Sequence, residues 1–369
     1  MSRWAWADID LDAVRHNVAV LRAAAAPAQV WAVVKADGYG HGAVHVARAA
    51  REGGASGLCV ALVQEGVALR DAGLEGPILV LSEQPATELV AAVRNGLELT
   101  VYSYQQLEAI AAAGGTDHPV HLKVDTGMRR VGAEVGDALG LTDAIAESSA
   151  VRLAGVFTHL AAADQPDEPF TAIQLEAFGD VLTALAVAGH DVPLVHAANS
   201  AATLSWPSAH FGMVRVGIAI YGISPGAALD RQAAALHPAL SLRARVSHVK
   251  RVRPGDRISY GMRHRFERDT TVATLPLGYA DGVPRRLFAG GGEVLIGGRR
   301  RPIVGVVTMD QLMVDCGDDS VAIGDEAVLI GAQGAEAIST AEWADWLGAI
   351  GYEVVCGITP RVDRRYTGA

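Results

Sequence analysis

Short apolar runs recur at regular spacing through the first two thirds of the chain, and segments of helical pattern separate them. The helical patterns include Gln64–Ala72, Glu88–Arg94, Gln105–Ala112 and Phe170–Ala188. The apolar runs lie near Val30–Val34, Leu58–Ala61, Ile78–Leu81, Leu97–Val101, Val120–Val124, Leu153–Phe157, Pro193–Val195 and Val214–Ile218. Strands that alternate with helices pair in parallel. Eight such repeats predict a (β/α)8 barrel of the TIM type, an α/β fold.

An open, doubly wound sheet is the main structural alternative, since the same alternation would also produce it. Such a sheet would be expected to carry a glycine-rich dinucleotide fingerprint directly after its first strand. The glycines after Lys35 do not have that spacing. The barrel is therefore the favoured interpretation.

The pattern changes from about Leu240 onward. The segments Leu240–Val246, Thr271–Leu275 and Val321–Ile330 alternate between apolar and polar residues, and glycine-rich turns separate them. A period of two is typical of antiparallel strands with one face in water. The sequence therefore predicts a barrel domain over residues 1–239 and a smaller, mostly antiparallel β domain over residues 240–369.

Charge and cysteine content narrow the class of partner. The chain has 369 residues and a formal net charge of -10, which argues against a nucleic-acid partner. Its three cysteines are scattered and predict neither a disulfide framework nor a metal site. Because we find no signal peptide and no apolar run long enough for a bilayer, we expect a cytoplasmic protein without a membrane partner.

Polar side chains interrupt the apolar pattern where the predicted strands end. They are Lys35, Lys123, His159, Asn199, Ser200 and Arg215. Each one alone could be a hydrogen-bonded core residue or, for Lys35, a solvated lysine before a turn. Active sites of barrels lie at the carboxyl ends of the strands, however, so that this convergence predicts a catalytic site.

The segment around Lys35 reads Val33-Val34-Lys35-Ala36-Asp37-Gly38-Tyr39-Gly40-His41-Gly42. It closely resembles the motif A-V-V-K-A-N-A-Y-G-H-G of alanine racemases, with Asp37 and Gly38 in place of Asn and Ala. The resemblance extends over nearly the whole chain. It implies a barrel enzyme with pyridoxal 5'-phosphate attached to Lys35. In that family the opening strand joins the C-terminal domain, which allows residues 1–10 to pair with the second domain.

The resemblance assigns further cofactor contacts. Val214–Gly222 resembles the family segment whose arginine, here Arg215, contacts the pyridine nitrogen, and His159 resembles a histidine that holds this arginine. Arginine can only donate, so the ring nitrogen must stay an unprotonated acceptor. The contacts implied for the rest of the cofactor, chiefly its phosphate, are Tyr39, Asn199, Ser200, Gly217 and Ile218.

Substrate contacts and a second base follow from the same resemblance. Arg130 and the amide of Met309 correspond to groups that bind the substrate carboxylate, and Lys123 to a lysine that is carbamylated in many relatives. The neighbouring Arg129 is better interpreted as a solvated surface charge. Ile258-Ser259-Tyr260-Gly261 resembles the segment with the second catalytic base, Tyr260, which reaches the partner subunit's barrel. The implied entrance residues are Asp164, Tyr279 and Arg285.

The resemblance implies a homodimeric alanine racemase that shares its active sites between chains and makes D-alanine for peptidoglycan. Pro360 stands where some relatives have a phosphate-contacting tyrosine, so that contact is not expected. A broad-specificity or serine racemase of the same fold is the closest alternative. A decarboxylase of basic amino acids would pair the pyridine nitrogen with a carboxylate, which Arg215 disfavours. A cofactor-carrying barrel without catalysis would lack the β domain and Tyr260.

Overall fold

The computed structural model describes residues 4–368, which divide into two compact units. The first unit comprises residues 4–11, Tyr39–His41 and residues 238–368, and the second comprises Asp12–Gly38 and Gly42–His237. The N-terminal strand and a three-residue part of the Lys35 motif thus belong to the unit that contains the C-terminal third of the chain. The sequence allowed residues 1–10 to pair with the second domain, and it did not assign Tyr39–His41 to that domain.

The first strand of the chain, β1 (Ala5–Asp10), belongs to the first unit. The strands of the second unit are β2 (Gln29–Val33), β3 (Gly57–Val60), β4 (Ile78–Val80), β5 (Glu98–Val101), β6 (His118–Lys123), β7 (Val151–Phe157), β8 (Val195–His196) and β9 (Met213–Val216). The later strands are β10 (Leu240–Arg245), β11 (His248–Val252), β12 (Arg257–Ile258), β13 (His264–Arg265), β14 (Thr270–Leu275), β15 (Glu293–Ile296), β16 (Arg299–Pro302), β17 (Leu312–Asp315), β18 (Glu326–Gln333), β19 (Glu336–Ile338) and β20 (Asp363–Thr367). The helical segments are α1 (Leu11–Ala25), α2 (Lys35–Tyr39, a single left-handed turn), α3 (Ala43–Glu52), α4 (Val63–Asp71), α5 (Ala86–Arg94), α6 (Tyr104–Ala112), α7 (Ala138–Glu147), α8 (Phe170–Val187), α9 (Ser200–Ser205), α10 (Asp230–Ala233), α11 (Thr340–Leu347) and α12 (Gly351–Cys356).

Strands β2–β9 close into a parallel barrel, with β9 paired to β2, and this confirms the predicted fold class. The strands match the apolar runs because both faces of a barrel strand are covered, one by the interior and one by helices. In β2, for example, Val30–Val33 are all buried. Closure brings the carboxyl ends of all the strands to one rim, where the polar side chains at the strand ends lie.

Helix α8 is the one helix of residues 4–368 that is long and apolar enough, by length and composition, to cross a membrane. It connects β7 to β8 in the barrel unit. The side chain of Gln174 in this helix is buried, accepting a hydrogen bond from the amide of Ala161 (2.8 Å) and donating to the carbonyl of His159 (3.0 Å). These contacts identify α8 as a helix of the barrel wall.

The first unit is built on a mixed sheet of order β16-β15-β18-β10-β1-β20, and β19 extends β18. Strand β1 pairs antiparallel with β10 and parallel with β20. Strands β11, β14 and β17 form a second, antiparallel sheet, and β12 and β13 form a hairpin. The antiparallel domain is therefore confirmed. The predicted strand Val321–Ile330 is wrong at its start, because Gly324 (φ +96°) and Asp325 form a turn before β18.

Arg364 of β20 contacts Tyr39–His41, the part of the Lys35 motif that belongs to the first unit. Its guanidinium donates to the carbonyl of Gly40 (3.0 Å) and to three carbonyls of the segment 358–362. A Cβ at Gly40 would lie 2.5 Å from the carbonyl oxygen of Val355. Only glycine therefore permits this close approach of the two backbones.

Candidate active site

The segment after β2 turns in the left-handed sense. Ala36, Asp37, Gly38 and Tyr39 all have φ between +51° and +60°. Such a conformation costs a residue with a Cβ roughly 1–2 kcal/mol, so surrounding contacts must hold the turn. Helix α3 begins at Ala43, directly after this left-handed segment and Gly42.

Two carboxylates hold this left-handed turn. Glu65 accepts a hydrogen bond from the amide of Ala36 (2.7 Å), and Asp37 accepts one from the amide of Ala43 (2.9 Å). The second bond satisfies an otherwise unpaired amide in the first turn of α3. Lys35, half-buried just after the end of β2, is thereby fixed at the rim of the barrel.

Arg215 lies in β9 and is 4% exposed. Its Nη1 lies 2.6 Å from Nδ1 of His196, and its Nη2 donates to the carbonyls of Thr158 (2.8 Å) and Ala197 (3.0 Å). His159 is more distant, with Nδ1 at 3.5 Å from Nη2. The contact that the resemblance assigns to His159 is thus present but long, and its role stays a prediction. His196, at the end of β8, makes the short hydrogen bond.

Burial lowers the pKa of Arg215 to about 10, which still leaves the guanidinium protonated at neutral pH. The aromatic ring of Phe157 packs against it, with Cζ of Arg215 at 5.0 Å from the ring centroid. His196 stacks on the same ring at a centroid distance of 4.6 Å. The guanidinium of Arg215 is thus held by its hydrogen bonds and by contact with the ring of Phe157.

Lys123 ends β6 and is 5% exposed. Burial, followed by the charges of Arg215 and Arg130, lowers the pKa of Lys123 to about 8, while Asp125 acts in the opposite direction. A lysine with this pKa is partly neutral near pH 7 and can act as a nucleophile.

The two arginines of the loop after β6 differ in their contacts. Asp125 accepts hydrogen bonds from the amides of Gly127 (2.9 Å) and Arg129 (3.1 Å), which shapes the loop. Arg129 then forms a solvent-exposed ion pair with Glu134 (3.0 Å). No ion pair or hydrogen bond of Arg130 is found within residues 4–368, and its charge acts on Lys123 and His159. Arg130 is therefore the arginine available to a ligand.

His159 shows how closely the basic groups converge. Its pKa lies well below the ordinary value, first because it is removed from water. The charges of Arg215, Lys123, Arg130 and Lys35 lower the pKa further, in that order. The rim of the barrel is therefore a cationic site with a neutral imidazole, which suits an anionic ligand.

Ser200 and the segment after β9 form the adjacent part of the rim. The hydroxyl of Ser200 accepts hydrogen bonds from the amides of Gly217 (2.9 Å) and Ala219 (3.4 Å), so its own proton remains to be donated. Asn199 caps α9 by accepting from the amide of Ala202 (3.0 Å) and donates to the carbonyl of Leu160 (3.2 Å). Ile218 begins a short 3₁₀ turn, and its first amides have no partner inside that turn.

Residues that the sequence reasoning missed lie inside the barrel. His196 contacts His121, which in turn contacts Glu98. His121 and Lys123 are two positions apart in β6, and residues at this spacing lie on the same face of a strand. A polar residue at an inward position of an apolar strand was a signal available in the sequence.

Tyr260 lies in the first unit, on the loop between β12 and β13. It is 71% exposed, and the neighbouring Ser259, Gly261 and Met262 all have positive φ. The hydroxyl of Ser259 donates to the carbonyl of Val306 (2.6 Å) and anchors the loop. A fixed loop thus presents the phenol to solvent.

The other predicted site residues of the first unit lie on nearby loops. The amides of Tyr279 and Ala280 donate to the carbonyls of Thr308 (3.0 Å) and Met309 (3.1 Å). Tyr279 and Arg285 also border a cavity of about 420 Å³ beside α11 and α12. Tyr39 is buried and packs against Tyr352 at a centroid distance of 6.2 Å. Asp164, in the second unit, packs against Gly226.

Two family models match the chain. The alanine racemase N-terminal domain matches residues 9–225, and the alanine racemase C-terminal domain matches residues 239–366. The chain belongs to the alanine racemase family. Members of this family are isomerases that act on amino acids, and this chain is therefore a racemase.

Relatives of the chain cover it fully. An alanine racemase of Thermobifida fusca is 47% identical over 100% of both chains, and one of Symbiobacterium thermophilum is 47% identical over 98% of this chain and 97% of its own. The crystal structure of an alanine racemase from D-cycloserine-producing Streptomyces lavendulae has a TM-score of 0.94 at 40% identity, covering 100% of this chain and 98% of that chain. A Bacillus anthracis alanine racemase with bound L-Ala-P has the same TM-score and identity, covering 100% and 96%.

We expect the low pKa of Lys123 to reduce stability below pH 8. An unfolded lysine keeps its proton up to about pH 10.5, whereas folded Lys123 releases it near pH 8. Because the unfolded state binds more protons between these values, stability rises with pH there, by at most about 3 kcal/mol for this group.

The variant Lys123→Met removes this titration. Its free energy of unfolding should exceed that of the wild type at pH 7, and the difference should shrink between pH 8 and pH 10. Denaturation in buffer free of carbon dioxide measures both, with the exposed Lys250→Met as the control. A difference that stays constant across this range would contradict the assignment.

Proposed function

We propose that the chain interconverts L-alanine and D-alanine with pyridoxal 5'-phosphate as cofactor and with Lys35 and Tyr260 as the two bases. The observation that carries the proposal is the convergence of Lys35, Lys123, Arg130 and Arg215 on one rim of the barrel. Four cationic side chains around a neutral histidine suit a small, multiply anionic ligand.

The donors at this rim fit the groups of pyridoxal phosphate. The amine of Lys35 would hold its carbonyl carbon, and Arg215 would donate to the ring nitrogen. The hydroxyl of Ser200 and the amides of Gly217 and Ile218 would receive the phosphate, with Asn199 shaping the turn and Tyr39 completing this end. When bound, this cofactor withdraws electrons from the α-carbon of an amino acid and so acidifies its α-hydrogen.

Arg215 directs the outcome toward racemisation. A guanidinium with a pKa of about 10 remains a donor at neutral pH, so the nitrogen it contacts must accept and stay unprotonated. An unprotonated ring withdraws fewer electrons than a protonated one. Arg215 therefore favours prompt return of the proton to the α-carbon over other reactions.

The remaining residues bind substrate and move the proton. Arg130 and the amide of Met309 would hold the carboxylate of alanine, and Asp164, Tyr279 and Arg285 would line its entrance. Tyr260 would take the α-proton of L-alanine on one face, while the ammonium of Lys35 would deliver one on the other.

The exposure of Tyr260 supports a homodimer with shared sites. A 71% exposed phenol on a fixed loop, with Met262 (55%) and Met309 (52%) also exposed, is typical of a surface that meets a partner. We propose that Tyr260 of the partner subunit reaches the barrel of this chain. The family resemblance also supports a cytoplasmic enzyme that supplies D-alanine for peptidoglycan and binds neither nucleic acid nor membrane.

We further propose that Lys123 carries a carbamate. Its amine has a pKa of about 8, and only a neutral amine attacks carbon dioxide. The nitrogen forms a bond to carbon dioxide and loses a proton to solvent, which converts a buried cation into an anion beside Arg130. Under 13C-labelled carbon dioxide, 13C NMR should show one carbamate signal that Lys123→Met lacks. A spectrum without that signal in the wild type would rule out the modification.

The function is tested by a racemisation assay with L-alanine and L-serine on protein loaded with pyridoxal phosphate. We expect turnover of alanine to exceed that of serine, and Lys35→Ala to abolish both while the control Lys250→Ala retains them. Preference for serine would instead support the serine racemase alternative. Absence of racemisation with either amino acid would refute the proposal.

Shared sites are tested with two inactive variants. Lys35→Ala and Tyr260→Ala homodimers each lack one base at every site. In a mixed dimer one site contains both bases and the other contains neither. Random association makes about half of the dimers mixed, so that about a quarter of wild-type activity should return.

The two variants are unfolded together, refolded and assayed for conversion of L-alanine to D-alanine. Differential tags confirm that mixed dimers form, and each variant refolded alone is the control. If each site were built within one chain, no activity would return, and this outcome would exclude the shared-site arrangement.

A further inference from the structure

A line of hydrogen-bonded side chains crosses the barrel interior from Arg215 to Glu98. Arg215 Nη1 lies 2.6 Å from His196 Nδ1, His196 Nε2 lies 2.9 Å from His121 Nδ1, and His121 Nε2 lies 2.8 Å from a carboxylate oxygen of Glu98. The two histidines are at most 1% exposed. Glu98 is the first residue of β5, so the line runs from the carboxyl-end rim toward the opposite end of the barrel.

The donors and acceptors of this line have a single consistent order. A guanidinium only donates, so His196 Nδ1 must accept, and the proton of this imidazole is on Nε2. His121 Nδ1 then accepts from His196, which leaves the proton of His121 on Nε2, facing Glu98. A carboxylate only accepts. The guanidinium at one end and the carboxylate at the other therefore require the same tautomers, with the proton on Nε2 of both histidines.

The order of donors and acceptors bears on the orientation of the Arg215 guanidinium. A guanidinium has five N–H groups. Nη2 uses two on the carbonyls of Thr158 and Ala197, and Nη1 uses one on His196. Within residues 4–368 no partner is found for the Nε–H or for the second N–H of Nη1. The bond to His196 therefore fixes the rotation of the guanidinium and the direction of these two donors.

The residues around His121 and His196 pack closely against the two imidazoles. A Cβ at Gly155 of β7 would lie 2.6 Å from Nδ1 of His121 and 2.6 Å from the carbonyl oxygen of Leu194. The pairing of β6 with β7 shifts register between Val120 and His121. Phe157 stacks against His196 with an interplanar angle of 9°. The two imidazoles are thus held in place by glycine, register and ring contacts together.

We propose that Glu98 and His121 are positioning residues for the reaction, in which Glu98 is the terminal acceptor that orients His121, His196 and through them Arg215. The role in the reaction rests on the proposed function of Arg215, whereas the order of the line does not. Loss of the acceptor would leave the Nε2–H of His121 unpaired inside the barrel, which favours a turned ring and breaks the line.

The order of the line is tested on the full-length chain without cofactor. Protein labelled with 15N-histidine is studied by NMR at neutral pH, and His121 and His196 are assigned by substitution. Both rings should carry their proton on Nε2. In Glu98→Ala the ring proton of His121 should exchange with water roughly tenfold faster, and in Glu98→Gln, whose amide oxygen can accept, it should stay protected. A proton on Nδ1 of either ring, or unchanged exchange in Glu98→Ala, would overturn the proposal.

The role in the reaction is tested by steady-state kinetics of the loaded enzyme. Glu98→Ala should lower kcat on the order of tenfold, with KM for alanine unchanged, because the acceptor acts through Arg215 and not on the substrate. Glu98→Gln should restore most of kcat, and the exposed Glu108→Ala is the matched control. Equal losses in the Ala and Gln variants would refute the acceptor role. If the wild type does not racemise alanine, the proposed function fails, while the NMR result still decides the order of the line.

Discussion

The burial of one guanidinium constrains much of the barrel interior. A charge removed from water requires acceptors for its N–H groups, because an unpaired charged donor costs several kcal/mol. Arg215 finds three of these acceptors on the β7–β8 side of the barrel: the carbonyls of Thr158 and Ala197, and the ring nitrogen of His196. The accepting imidazole needs an acceptor for its own proton, and so does the next one. The burial of Arg215 thus requires a series of hydrogen-bond acceptors that crosses the core and ends at the carboxylate of Glu98.

The left-handed turn after β2 is a second feature of the site that lowers the stability of the folded chain. Ala36 and Asp37 adopt a conformation that favours glycine. The carboxylates of Glu65 and Asp37 compensate by accepting hydrogen bonds from the amides of Ala36 and Ala43. As a result, the backbone after Lys35 does not pass directly from the strand into a right-handed helix, and Lys35 stays at the rim of the barrel. In both places the barrel contributes rigidity, and the polar groups at its rim depend on that rigidity for their geometry.

The sequence predicted the architecture well because buried parallel strands are continuous apolar runs, as Val30–Val33 show. It failed where a turn imitates a strand, as at Gly324 and Asp325. It named His159 as a partner of Arg215, which lies at 3.5 Å, but did not reveal His196, which makes the shorter bond of 2.6 Å. Spacing along the chain places both histidines at strand ends but does not reveal which ring faces the guanidinium. The roles assigned to Tyr260 and Arg130 came from family resemblance and remain predictions.

The position of β1 has a consequence for synthesis on the ribosome. This strand emerges long before its parallel neighbour β20, which ends at Thr367. At elongation rates of about 5 to 20 residues per second the wait is roughly 20 to 70 s. During that time every residue of the barrel unit becomes available to fold, while β1 exposes an unpaired edge that other strands could join. A chaperone that binds extended apolar segments would therefore find one in β1 during this interval.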